Sequence, residues 1–407
     1  MGAKKLIYKK TILKQLYFNP GISCTELAHR INKSIPLTTR ILEELVLENL
    51  VKDLGPGTAG LGRKPRTYAL LDNSFFMLAV SADQFFTRIV LVSNQNKKVW
   101  EAQLEMALDS NQEQLTVFCQ SVDELITDSG VDRCRILGLG IGVSGSIDFN
   151  KGMNSLFQEK TETGIQFLSK RLQVPVFIDN GSRLIALAEF QFGKAVKHPN
   201  TMVLNLSWDI GLGMILNGEI FRGQNGFAGE FSHLPLFNNN KLCHCGKTGC
   251  LETETSMLVL IDKISEGVRS GRKSVLSREI DSVSREKAFD LVVHAALKGD
   301  QFVIELISEL GYTIGQGVAI LIHLLNPGQI VLSGRGASLG KLWITSIQHA
   351  INKHCIPAIA ENVEFEVSQM GADAEFIGAA ALVMENIDTT AFDLYPVKTN
   401  KSLPIPI

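Results

Sequence analysis

Residues 226–256 read GFAGEFSHLPLFNNNKLCHCGKTGCLETETS, and Cys243, Cys245 and Cys250 crowd into one short loop of this stretch. Thiolates are soft ligands. Three of them held so closely, with one nitrogen added, suit a tetrahedral zinc ion with no open position, which is a structural rather than a catalytic arrangement. Gly246 and Gly249 permit the sharp backbone that such closeness demands. The plainer reading is a trio of reduced surface cysteines. Cys24, Cys119, Cys134 and Cys355 lie scattered, and the odd total of 7 argues against a disulfide framework and for a reducing compartment.

Working outward, the 407 residues suit two or three domains, and 45% hydrophobic against 20% charged residues describes a globular chain with ample core. No apolar run approaches the roughly 20 residues that span a bilayer. The basic start MGAKKLIYKK is followed by no signal core. A cytoplasmic protein with no membrane partner is expected. The net charge of −2 conceals an asymmetry. Met1 to Asp72 carries 12 Lys and Arg against 6 Asp and Glu, while the remainder carries 28 against 36. A basic head on an acidic body points to a polyanion met by the head alone, although a solvated basic surface would look the same.

Within that head, Ile12, Leu13 and Leu16 share one side of a helix over residues 10–18, which Asn19-Pro20-Gly21 ends. Ser23-Cys24-Thr25-Glu26 is a capping box opening a second helix that contains Leu27 and Ile31. Asn32-Lys33-Ser34 makes the turn, and Pro36 is tolerated in the first turn of the third helix. Leu37, Ile41, Leu45 and Val46 are its expected buried stripe, with Asn49 at a left-handed end. Lys33, Ser34, Thr38, Thr39 and Arg40 are then left to face base edges and phosphates. Two wing strands, 51–54 and 67–71, flank a tip that presents Arg63, Lys64 and Arg66 to a narrow minor groove. Residues 1–72 thus read as a winged helix-turn-helix that binds a double-stranded DNA operator. Trihelical units also serve as plain interaction modules.

From Phe75 onward, strand-like and helical runs alternate, which indicates an α/β body. FFMLAVSAD, TRIVLVS and KKVWEAQLEM form a meander, residues 111–129 a helix, and RILGLGIGVSG a buried strand. The cysteine stretch resembles the signature of the ROK family of repressors and sugar kinases, in which Gly-Glu-x-Gly-His precedes Cys-x-Cys-Gly-x-x-Gly-Cys-x-Glu. PVFIDNGSRLIALAEFQFG (175–193), HLLNPGQIVLSG (323–334) and GADAEFIGAAALVMENI (371–387) extend the match. The head resembles the family's repressor branch.

The resemblance implies two actin-like (sugar kinase/ribonuclease H-like) α/β lobes behind the winged helix-turn-helix. Lobe 1 would span 73–190 with a helix at 371–387 returning to it, and lobe 2 would span 191–370 with the zinc loop 233–250. Residues 388–407 form a polar, proline-containing tail. His233, ten residues before Cys243, becomes the fourth zinc ligand, while His244 should point away. Ser232 stands where the family has glycine. Sugar-binding positions carry over onto Gly145, Asn180, Glu230, His233 and Glu252, all of the expected type. Carboxylates and an amide are what vicinal hydroxyls require. A dimer or tetramer is implied.

Three departures concern the kinase chemistry. Family kinases place an aspartate after that asparagine as general base, and here Gly181 follows Asn180. Glycine takes no proton. Ser81-Ala82-Asp83-Gln84-Phe85 replaces the first glycine-rich phosphate loop, and Ser207-Trp208-Asp209-Ile210-Gly211 the second. Gly138-Leu139-Gly140-x-Gly142 reads as tight strand packing. The expectation is a non-enzyme without nucleotide: a regulator of carbohydrate uptake or catabolism genes, most simply a repressor, answering to a sugar or sugar phosphate. A sugar kinase with a fused DNA-binding head, a body answering to a partner protein, and a cup unable to bind monosaccharides stand as alternatives.

Overall fold

The computed structural model describes residues 2–57, 65–108, 111–145, 147–148, 153–154, 164–196 and 198–389. Arg63 and Lys64, expected at the wing tip, lie outside the described residues, as does the tail beyond 389. The chain forms two compact units: residues 1–145, 152–179 and 379–407 in the first, and 146–151 and 180–378 in the second.

The head is built from helices Gly2–Phe18, Cys24–Arg30 and Ile35–Leu47. A small sheet with the order Ile22–Ser23, Arg66–Leu70, Val51–Pro56 completes it. The Ser23 hydroxyl accepts from the Glu26 amide at 3.1 Å, while the Glu26 carboxylate takes Arg30. Asn49 turns left-handed at φ 57. The third helix departs from the expected register. Its buried residues are Thr38, Ile41, Leu42 and Leu45, an i, i+3, i+4, i+7 stripe, and Leu37 and Val46 are only half-buried. Thr38 is therefore a core residue and not a DNA contact. Its hydroxyl is satisfied internally by donating to the Ser34 carbonyl at 3.1 Å.

Head and first lobe form one body. Tyr17 is buried and its hydroxyl bonds Asn96 in a hairpin turn. Lys14 donates to the Glu385 carbonyl at 2.5 Å and reaches Asp388 at 3.3 Å. Across the junction, Asn94 donates to Leu71 O at 2.7 Å and accepts from the Asn73 amide at 2.9 Å. A free linker would leave those groups to water.

The two units carry sheets of the same plan. In the first, the order is Val176–Asn180, Ile136–Val143, Phe76–Ala82, Thr87–Ser93, Lys98–Leu104. In the second it is Glu364–Val367, Gln329–Ser333, Thr201–Leu206, Ile210–Leu216, Glu219–Ile220. Each is an antiparallel meander of three strands extended on its first strand's side by crossover-linked strands. Helix Gly181–Phe192 lies in the second unit, so the lobe boundary falls at Asp179/Asn180 and not near 190. The cause is close packing: Gly213 of the second sheet admits Ala186 and the Ser182 backbone. No described helix is long and apolar enough to cross a membrane.

The glycine run in Ile136–Val143 serves packing, as expected. The strand is buried throughout, Gly138 faces Val383, and Gly140 lies against the Ala379 carbonyl of helix Ala374–Asn386. A methyl at Gly140 would overlap that backbone. Gly140→Ala is expected to cost about 2–3 kcal/mol in denaturant unfolding, whereas a neutral result would show that this helix does not bear on the strand.

Candidate functional site

The loop 243–250 folds on itself through bonds from the Cys243 amide to Lys247 O at 2.8 Å and from the Gly246 amide to Cys243 O at 2.9 Å. Gly246 and Gly249 both sit at φ 81, where a side chain would be strained, and a Cβ on Gly249 would overlap the Phe237 carbonyl. The result gathers His233, Cys243, Cys245 and Cys250, with ligand atoms all within 4.8 Å of one another. Cys243 Sγ is 3.6 Å from His233 Nδ1, and Cys245 Sγ is 3.7 Å from Cys250 Sγ. A tetrahedral ion with ordinary sulfur and nitrogen bonds has edges of about 3.6 Å (S···N) and about 3.8 Å (S···S). The four residues fit such an ion.

Electrostatics agree with that fit. Burial, reinforced by the neighbouring thiols, pushes the Cys250 thiol up to about 12, and burial raises Cys243 as well. The Lys247 amide lowers Cys245. Cys243 and Cys250 are buried and Cys245 is exposed, so the buried pair would become thiolates only with a cation to hold them.

Two of the expected sugar-binding residues, Glu230 and Glu252, lie beside the imidazole of a third, His233. With Nδ1 toward Cys243, His233 turns Nε2 toward Glu230 Oε2 at 3.8 Å. Glu252 opens the short helix Glu252–Thr255 directly after the loop, with its side chain largely buried. His244 stays outside the four-residue cysteine cluster, but its ring has a partner that the sequence did not suggest. Its Nδ1 lies 2.8 Å from Glu252 Oε1 and its ring stacks edge-on against His233 at 5.2 Å, so it joins the carboxylate cluster. Sequence spacing gave no sign of this, because a residue between two ligands is free to turn either way.

Asn180 caps helix Gly181–Phe192: its Oδ1 accepts from the Ser182 amide at 2.9 Å and the Arg183 amide at 3.3 Å. Arg183, buried in the same turn, donates to Gly226 O at 2.5 Å, tying the cap to the segment that leads to Glu230. Asp179 is buried at 1 % exposure. Gly145 belongs to the first unit, at φ 92. At these positions the second unit carries carboxylates, an amide and an imidazole, donors and acceptors of the kind a polyhydroxylated ligand needs.

The two loops at the phosphate-loop positions are occupied by their own side chains. Asp83 Oδ1 accepts from the Phe85 amide at 2.7 Å and the Phe86 amide at 2.8 Å. Those are amides that a phosphate would otherwise engage. In the second unit, Trp208 is 4 % exposed, with the Arg335 guanidinium 4.4 Å from its ring centroid and Phe289 edge-on at 6.1 Å.

On the DNA-binding head, Ser34 and Arg40 are exposed, and Lys33 sits 5.0 Å over the Tyr8 ring. Thr39 is half-buried against Cys24 at 3.3 Å. Arg66 is exposed and held at 2.6 Å by Asp53. The outward face thus narrows to Lys33, Ser34, Arg40 and Arg66, with Thr39 at its edge.

Comparison with known proteins matches residues 86–386 to the ROK family and residues 6–52 to a winged helix-turn-helix DNA-binding family. The chain belongs to the ROK family. It is 26% identical over 396 residues to a putative xylose repressor of Caldicellulosiruptor sp. (strain Rt8B.4), covering 96% of this chain and 98% of that one. To a glucokinase of Halalkalibacterium halodurans it is 29% identical over 276 residues, covering 66% of this chain and 83% of the kinase. A solved ROK family transcriptional regulator, a homologue of the E. coli MLC protein, superposes with a TM-score of 0.74 at 22% identity over 95% of this chain and 97% of that one. The fold is therefore the ROK fold: a DNA-binding winged helix-turn-helix followed by a sugar-kinase-like α/β core.

Metal analysis of the purified protein is expected to find about one tetrahedrally bound ion per chain. Cys250→Ser should lose the ion and lower the thermal midpoint. Full metal content in that variant would contradict the four-ligand cluster.

Proposed function

We propose that this chain is a sugar-responsive transcriptional regulator of carbohydrate uptake or catabolism genes, acting as a repressor and transferring no phosphoryl group. The observation that carries this reading is the closure of both phosphate-loop positions, by Asp83 on its own turn amides and by Trp208 beneath Arg335. Gly181 at the base position points the same way. The similarity to a putative xylose repressor over 96% of the chain supports it, while the glucokinase similarity covers 66%.

The ion of the His233–Cys243–Cys245–Cys250 cluster is zinc in this account, chosen by its thiolate-rich tetrahedral ligands. When bound, it supplies charge neutralisation for the thiolates and holds the loop. His233 then keeps Nε2 toward Glu230, and Glu252 is fixed by its place two residues past Cys250. Glu230, His233, Glu252 and Asn180 of the second unit bind a free sugar or sugar phosphate.

The protein acts as a dimer or higher homo-oligomer whose heads occupy half-sites about one helical turn, or a multiple, apart. A head fastened to its lobe by Tyr17–Asn96 and Lys14–Glu385 cannot swing independently. A sugar that binds one arrangement of the protein better than the other shifts operator affinity by that difference.

Sequencing genomic fragments retained by the protein, with and without pooled sugars, tests the reading. The expected result is a two-fold motif beside sugar transport or catabolism genes, released by one sugar. Arg40→Ala should weaken retention and lower the salt slope by about 0.9 if it meets a phosphate. No enrichment over bulk DNA, or retention indifferent to every sugar, contradicts the proposal.

A further inference from the structure

Gly181 opens helix Gly181–Phe192, one residue beyond Asn180 in the cup, and it is buried. A Cβ built on it would lie 2.6 Å from Oε1 of Glu375, 3.2 Å from its carboxyl carbon and 3.8 Å from Oε2. An aspartate carries its own carboxylate oxygens about 2.4 Å from its Cβ. The hollow left by the missing side chain is therefore not empty. A carboxylate oxygen from another element stands at nearly the distance at which an aspartate at 181 would place one.

Glu375 comes from the first turn of helix Ala374–Asn386, where the positive end of the helix favours an acidic side chain. It is half-buried, and that turn is anchored: Ala374 is part of the core with Ile185, Ala186 and Val203, and Gly378 lies against the Leu184 backbone. A side chain at 181 and the present position of Glu375 exclude each other, since 2.6 Å is closer than a Cβ and an oxygen approach. Gly181 and Glu375 thus behave as one steric unit.

We propose that Glu375 is a ligand-binding residue of the cup: its carboxylate accepts a hydrogen bond from the sugar hydroxyl nearest Asn180, in the space that Gly181 leaves open. This deepens the sugar-responsive reading above and rests on it. The consequence is one of specificity. A carboxylate there accepts from a free hydroxyl and repels a phosphate ester at the same oxygen. The effector is a neutral sugar, unphosphorylated at that position.

Calorimetric titration of the full-length protein with D-xylose, D-glucose and glucose 6-phosphate tests this, with DNA retention measured in parallel. Parent protein is expected to bind at least one free sugar. Glu375→Gln keeps the size of the side chain and should weaken that sugar by about tenfold to a hundredfold. Sugar-free DNA retention should persist, with at most a small fall in the thermal midpoint from the charge lost at the helix start. The exchange Gly181→Asp with Glu375→Gly should recover affinity relative to Glu375→Gly alone. Unchanged affinity in Glu375→Gln overturns the role of Glu375 while leaving the sugar-responsive reading intact, as does a preference for the phosphorylated sugar. Binding of none of the three probes by the parent overturns both.

Discussion

The imidazole of His233 bears two demands, and the rest of the second unit is arranged around meeting both. One nitrogen completes the cysteine cluster, and the other faces Glu230. A ring held at one edge cannot rotate to serve the other differently, so the ligand loop fixes the geometry of the cup. Gly246 and Gly249 make the loop tight enough to present its sulfurs, and Glu252 follows at the point where the loop becomes a helix. Loss of the ion would release the histidine and leave buried thiols to protonate.

The head follows a comparable logic in the first unit. Its first helix bonds the hairpin turn at Asn96 and the carbonyl end of helix Ala374–Asn386. That helix in turn lies on the glycine strand at Gly138 and Gly140, where any side chain would force it away. A DNA-binding module on a slack tether would report little about its body. This one is attached by partly buried hydrogen bonds, as the proposed sensing by the body requires.

Features that depend on local spacing were legible in the sequence. The cysteine loop, the Ser23 cap, the Asn49 turn and the strand meander after Phe75 all rest on residues a few positions apart. The register of the third helix was harder: Leu37 and Thr38 compete for the core, and a threonine can enter it once its hydroxyl bonds the preceding turn at Ser34. Contacts set by side-chain orientation left no trace in spacing. Tyr17 with Asn96, His244 with Glu252 and Glu375 over Gly181 each depend on which way a side chain turns after folding. The glycine at 181 was visible, but the carboxylate from 375 that fills its hollow was not.

In the proposed mechanism sugar alone, without phosphoryl transfer, sets DNA affinity. The most direct measurement is an anisotropy titration of a retained genomic fragment with D-xylose or D-glucose, run with and without magnesium ATP, with the sugar products assayed in the same samples. The account predicts that sugar releases the fragment equally in both series and that no sugar phosphate forms. Release that requires ATP, or turnover of sugar to its phosphate, would contradict it.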